Sequence, residues 1–165
     1  MRVIGIDPGT RHLGWGIVRV QGTRLSAEDY GIVDLDGRLS IAERLLQIDR
    51  ALGEILRVHE PEVAAVESLF FAKDAQAASK LGHARGVILL LLAKAAIPIH
   101  EVEPARVKRA VTGRGRADKR QVALMVKAVL GLRELPGVDA TDALAVAITH
   151  AQQVFFERAV HRGGR

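Results

Sequence analysis

The sequence predicts one α/β domain whose mixed five-stranded sheet joins an antiparallel meander to parallel strands, with helices on both faces. Three observations predict it. Apolar runs of β type, bounded by Pro, Gly and Asp, recur at 2–7, 13–20 and 25–34 with no room for a helix between them. A long stretch of helical period then separates the third run from a fourth at 63–67. Strands separated in this way pair in parallel through a crossover, with the helix packed on a sheet face. The length, 165 residues with 48% apolar and 26% charged, suits one folded domain with a real core.

Taken in order, Arg2 to Ile6 form the first strand, Asp7 closes it, and Pro8-Gly9 turns the chain. Gly22-Thr23 and Asp36-Gly37 mark the turns of the meander. Ser40 and Glu43 have capping-box spacing, and Ile41, Leu45, Ile48, Leu52, Ile55 and Leu56 recur on one helical face. Pro61 ends that connection, and Glu67 closes the fourth run. Asp74 then caps a helix reaching about Ala96, whose 87–93 portion is apolar all round and must be covered on both sides. Its second cover is either a neighbouring helix or another copy of the chain. A last strand spans 97–102, with Pro98 marking a start or an edge. Pro104 opens a short helix, 113–116 is a flexible basic link, and Asp118 with Gln121 caps the next helix. The final helix begins around Asp139. Residues 1–157 form the domain, and 158–165 make a basic, frayed tail.

Composition narrows the function classes. The absence of cysteine excludes a disulfide scaffold, a thiol nucleophile and a zinc–thiolate finger. The six histidines show no metal-ligand spacing. The longest apolar run is far too short to span a bilayer, and no signal peptide precedes the first strand, so a cytoplasmic location is expected. Charge is more informative. Between Glu103 and Arg133 nine bases face two acids, so this stretch carries +7 and the remainder −2 of a net +5. A basic stripe beside a cluster of acids fits a polyanion held at a metal site; the alternative is a solvated basic face.

The acids are Asp7 and Glu67 at strand ends, and Asp139 and Asp142 three apart where the last helix begins. Strand ends are where α/β sheets present ligand-binding groups. Carboxylates at i and i+3 of a helix project to one side. The alternatives are a turn-forming Asp7 and an acid-capped helix start. Four carboxylates near one crevice repel unless cations neutralise them, and hard oxygen ligands suit Mg²⁺, with Mn²⁺ as a substitute. Two such ions, about 3.5–4 Å apart, activate a water and stabilise a leaving oxygen at a phosphodiester. Hydrolysis of nucleic acid is the reaction class this chemistry favours.

Several motifs carry a specific resemblance. Gly5-Ile6-Asp7-Pro8-Gly9-Thr10-Arg11 with Gly14-Trp15-Gly16 resembles the opening of the RuvC family of Holliday junction resolvases. Residues 66–73, Val-Glu-Ser-Leu-Phe-Phe-Ala-Lys, are similar to the second acidic motif of that family and its junction-facing loop. Residues 80–86, the pairs Val107-Lys108 and Asp118-Lys119, and residues 139–150 continue the match in order. The resemblance implies an RNase H-like fold, a homodimer, and Mg²⁺-dependent paired cutting of four-way DNA junctions. It assigns the acidic ligands to Asp7, Glu67, Asp139 and Asp142. It assigns the base-contacting aromatic to Phe70 and the phosphate contacts to Lys108 and Lys119. Phe71 and Lys73 of the same loop, and Arg114 and Arg116 of the basic stripe, are further candidates for DNA contact. One of Phe70 and Phe71 is expected to face inward, because neighbours on an extended segment point opposite ways. By analogy the resemblance also implies cooperation with the RuvA–RuvB branch-migration complex.

Two rival readings have distinct signatures. The Asp-x-Gly-Thr opening also resembles the phosphate loop of actin-like ATPases and sugar kinases, but those folds duplicate the domain, for which 165 residues leave no room. A junction-binding protein without catalysis would use the same basic stripe and treat the acids as caps.

Overall fold

The computed structural model describes residues 1–68 and 75–163, with side chains as far as Glu157. Five strands, β1 (Arg2–Asp7), β2 (His12–Gln21), β3 (Arg24–Asp34), β4 (Val63–Glu67) and β5 (Ile99–Val102), form one sheet in the order β3-β2-β1-β4-β5. β1 is central. It pairs antiparallel with β2 and parallel with β4, and β5 adds in parallel at the edge. The helices are α1 (Ile41–His59), α2 (Ala75–Lys94), α3 (Pro104–Thr112), α4 (Lys119–Leu130) and α5 (Val138–Gly163). The mixed sheet and its crossover are those the sequence predicts.

Strand alternation divides the core in two. Ile4, Ile6, Ala64 and Val66 face α1 and α2, where they meet Ile48, Leu52, Ile88 and Leu92. Val3, Val63 and Ala65 face the other way, against α3, α4 and α5. The same alternation sends Asp7, next after Ile6, and Glu67, next after Val66, to the α5 side. Because Ile6 pairs with Val66, the two acids end neighbouring strands at one level.

Local chemistry explains the helix boundaries. Ser40 and Glu43 close a reciprocal capping box on α1, and Asp118 and Gln121 do the same on α4. Gly113 and Gly131 end α3 and α4 in the left-handed conformation. Two boundaries differ from the sequence expectation. β5 starts at Ile99, because the Ile97 amide bonds back to the Leu92 carbonyl and closes the end of α2 instead. α5 continues to Gly163, past Arg158 where a frayed tail was expected. Asp74, the expected cap of α2, lies outside the described residues, as do Phe70, Phe71 and Lys73.

α2 buries one side of its apolar circumference and leaves another open. Ala84, Arg85, Ile88 and Leu92 are buried, while Leu90 is 54% exposed. Gly82, Gly86 and Ala93 are also exposed and, at steps of four and three, share its side of the helix. No helix among the described residues is long and apolar enough to cross a membrane.

α5 lies flush on the sheet because glycines remove the side chains that would hold it off. A methyl group at Gly5 would overlap the Ala143 carbonyl, and one at Gly14 would overlap the Asp139 carbonyl. Gly14 is the register partner of Asp7, so this close approach sets the start of α5 directly beside Asp7. Gly14→Ala should therefore destabilise the fold by about 1–3 kcal/mol, the usual cost of overpacking. Gly53→Ala, in open space on α1, should stabilise it by about 0.4–1 kcal/mol. Urea unfolding of both variants checks this, and a Gly14→Ala protein as stable as the parent would contradict the close packing.

Candidate active site

A crevice of about 320 Å³ opens at the carboxyl ends of β1 and β4, lined by Asp7, Glu67, Pro104, Val107, Lys108, Lys119, Val122 and Asp142. Each group arrives on a firm element. Asp7 and Glu67 end adjacent strands, and Asp142 sits in the first turns of α5. Lys108 projects from α3, and Lys119 is the first residue of α4, immediately after the Asp118 cap.

The electrostatics are those of crowded acids. The Asp7 carboxyl is pushed up to about 8, first by burial, then by the charges of Glu67 and Asp142, by a hydrogen bond with Glu67, and by Asp139. Glu67 is also raised, mainly by burial; the hydrogen bond from Asp7 and the cations of Lys119 and Lys108 work the other way. The two carboxyls are joined by a hydrogen bond and titrate as a pair that favours taking up a proton. Asp142 answers part of the imbalance through Lys119, whose ammonium lies 3.1 Å from its Oδ2. That contact raises the Lys119 pKa and keeps it charged.

The sequence-assigned residues divide clearly. Asp7, Glu67, Asp142, Lys108 and Lys119 come together in the crevice. Asp139 is placed beside it: its charge is felt at Asp7 and its backbone rests on Gly14. Lys119, expected at a phosphate, stands against Asp142. Arg114 and Arg116 are exposed on the 113–116 link, outside the crevice lining.

Sequence reasoning gave no role to Arg85. Its guanidinium is buried behind Glu67, with Nη1 donating to the Glu67 main-chain carbonyl at 2.6 Å. The one available signal was a basic residue amid the small and apolar residues of α2.

Among the described residues no three acidic or histidine groups already surround one point. The donor set fits a divalent cation: all oxygen, half-buried, and short of positive charge, as the raised Asp7 carboxyl demonstrates.

Residues 3–150 match the family model of the crossover junction endodeoxyribonuclease RuvC. The chain is 55% identical over 164 residues to the crossover junction endodeoxyribonuclease RuvC of Sorangium cellulosum, covering 99% of this chain and 92% of that relative. The Thermus thermophilus RuvC structure superposes with a TM-score of 0.87 at 38% identity, covering 95% of this chain and 97% of that one. T. thermophilus RuvC in complex with Holliday junction substrate superposes at 0.89 and 39% identity, over 93% and 94% of the two chains. Fold and relatives together define a metal-dependent DNA nuclease with an RNase H-like architecture. The chain belongs to the RuvC family of crossover junction endodeoxyribonucleases.

The raised Asp7 carboxyl has a consequence for stability. A group at about 8 when folded and near 3.8 when unfolded binds more proton in the native state across that window. In metal-free buffer, native stability should thus fall as pH rises between those values. Asp7→Asn should remove this loss and make the protein more stable than the parent at pH near 8, with little gain near pH 4. Urea unfolding at the two pH values measures it; an equal effect of Asp7→Asn at both would contradict the assignment.

Proposed function

We propose that this chain resolves four-way DNA junctions by metal-dependent hydrolysis of one phosphodiester in each of two symmetry-related strands, leaving 5′-phosphate and 3′-hydroxyl ends. The observation that carries the reading is the hydrogen-bonded Asp7–Glu67 pair, set in a crevice whose flanks are Lys108 and Lys119. Asp7, Glu67, Asp142 and Asp139 are the residues that would hold one or two Mg²⁺ ions, with Mn²⁺ as a substitute. Bound there, the ions supply Lewis-acid stabilisation of the scissile phosphate and a water of lowered pKa.

The protein's own groups perform the rest. With a divalent cation held there, the deprotonated forms of Asp7 and Glu67 would be favoured and both would serve as acceptors. Lys108 lies where it can meet a phosphate oxygen at the crevice wall. Lys119, paired with Asp142 at 3.1 Å, would be available to the DNA backbone if a cation engaged that carboxylate. Arg114 and Arg116, exposed on the basic link, extend this track along the duplex arm. Burial of Asp7 and Glu67 limits their hydration and strengthens each of these interactions.

Paired cutting requires two sites, and the reading includes a homodimer. The exposed side of α2, with Leu90, Gly82, Gly86 and Ala93, is the surface we assign to the twofold contact. Small residues there would let two helices approach closely. Cooperation with a RuvA–RuvB branch-migration complex is proposed on family grounds alone.

A synthetic four-way junction tests these roles together. Asp7→Asn and Glu67→Gln should abolish cutting while leaving junction affinity nearly intact, because basic residues supply most of the binding. Joint loss of Lys108 and Lys119 should weaken binding for every junction sequence and flatten its salt dependence. Leu90→Glu should yield monomers that lose paired nicking. Normal cutting by Asp7→Asn or Glu67→Gln would refute the site, and paired nicks from a Leu90→Glu monomer would refute the dimer.

A further inference from the structure

We infer that Arg85 is a positioning residue for Glu67: its buried guanidinium ties the Glu67 carbonyl to Glu101, and so fixes from α2 where the Glu67 carboxylate stands. Glu67 is the last residue of β4, at the point where sheet pairing gives out. The Ala64 amide donates to Pro98 and the Ser68 amide to Val102, both on the β5 side. By alternation the odd-numbered residues of β4 bond toward β1. The β1-side donor due to the Glu67 carbonyl would be residue 8, which is a proline and has no N–H. Arg85 supplies the missing donor, with Nη1 at 2.6 Å.

The second arm of the guanidinium fixes its direction. Nη2 lies 2.8 Å from Glu101 Oε1, out of line for a hydrogen bond, so this contact is an ion pair. Glu101 is the β5 register partner of Val66, one residue before Glu67. Helix α2, the end of β4 and strand β5 are thus joined through one planar fork.

Packing alone does not call for an arginine here. Its side chain is 9% exposed and lies among the buried Ala84, Ile88 and Leu92 of the same helix. Desolvating a cation is costly, and an apolar side chain of similar volume fills such a place at least as well. A charged group retained there and aimed at a cation-binding strand end has a geometric task. Held groups behind a metal ligand typically influence metal affinity or activity by about 10- to 100-fold.

This inference rests on Glu67 being a cation ligand, as proposed above, and the experiment separates the two. Arg85→Lys keeps the charge but has a single ammonium in place of the fork; Glu101→Gln leaves Arg85 in place and removes its ion pair. The measurements are Mn²⁺ affinity without DNA by electron paramagnetic resonance, junction affinity without cation, kcat and KM, and the melting temperature. For Arg85→Lys we expect Mn²⁺ binding and kcat each reduced by about 10- to 100-fold, with junction affinity and KM unchanged. Glu101→Gln should show a smaller loss in the same direction. An Arg85→Lys protein that binds Mn²⁺ and cuts like the parent overturns the inference while Glu67→Gln remains inactive. So does one that loses only melting temperature. If Glu67→Gln still cuts, it is the functional reading that falls. Should Arg85→Lys fail to fold, Glu101→Gln decides: unchanged Mn²⁺ affinity there overturns the inference.

Discussion

Two carboxyl groups at adjacent strand ends, half-buried and joined by a hydrogen bond, are the interaction on which this molecule turns. Left to itself the pair is unfavourable, since burial and mutual repulsion lift Asp7 to about 8. The fold keeps the groups together because neither can move away. Each is the last residue of a strand whose preceding positions are locked into the core, Ile6 and Val66 being fully buried. Stability is thereby traded for a site poised to receive positive charge, a pattern common where structure serves chemistry.

The remaining elements complete that site. Glycines at 5 and 14 let α5 rest directly on β1 and β2, which delivers Asp139 and Asp142 from a helix to the strand ends. The helices covering the same sheet face bring the bases: α3 presents Lys108, and the Asp118 cap fixes Lys119 at the start of α4. Lys119 and Asp142 then satisfy one another at 3.1 Å. The ammonium of Lys119 therefore balances part of the acidic charge of the crevice. On the opposite face, α2 braces the end of β4 through Arg85 while turning Leu90 outward. One helix thus touches both the acidic site and the surface assigned to the twofold contact.

Much of this was legible in the sequence, for identifiable reasons. Short apolar runs at 2–7 and 63–67, each closed by an acid, read as buried strands, and strand geometry places Asp7 and Glu67 on one face once β1 and β4 pair. The capping boxes at Ser40 and Asp118 are local and were readable as written. What escaped depends on long-range geometry. Nothing in the sequence shows that Lys119 meets Asp142, 23 positions away, or that Asp139 contributes its backbone to Gly14. Arg85 was hidden because a base on a helix, as Lys80 and Lys94 of the same helix also are, is ordinarily a snorkelling surface residue. The start of β5 was misplaced for a similar reason. An isoleucine before a proline looks like a strand, whereas here its amide finishes a helix.

The central claim is that the Asp7–Glu67 pair and Asp142 receive a divalent cation that Lys119 otherwise partly replaces. Its most direct test is an anomalous difference map from crystals of the protein soaked in Mn²⁺. The account predicts density between the carboxylates of Asp7, Glu67 and Asp142, with the Lys119 ammonium withdrawn from Asp142. Manganese bound only elsewhere, or an intact Lys119–Asp142 pair at saturating Mn²⁺, would contradict it.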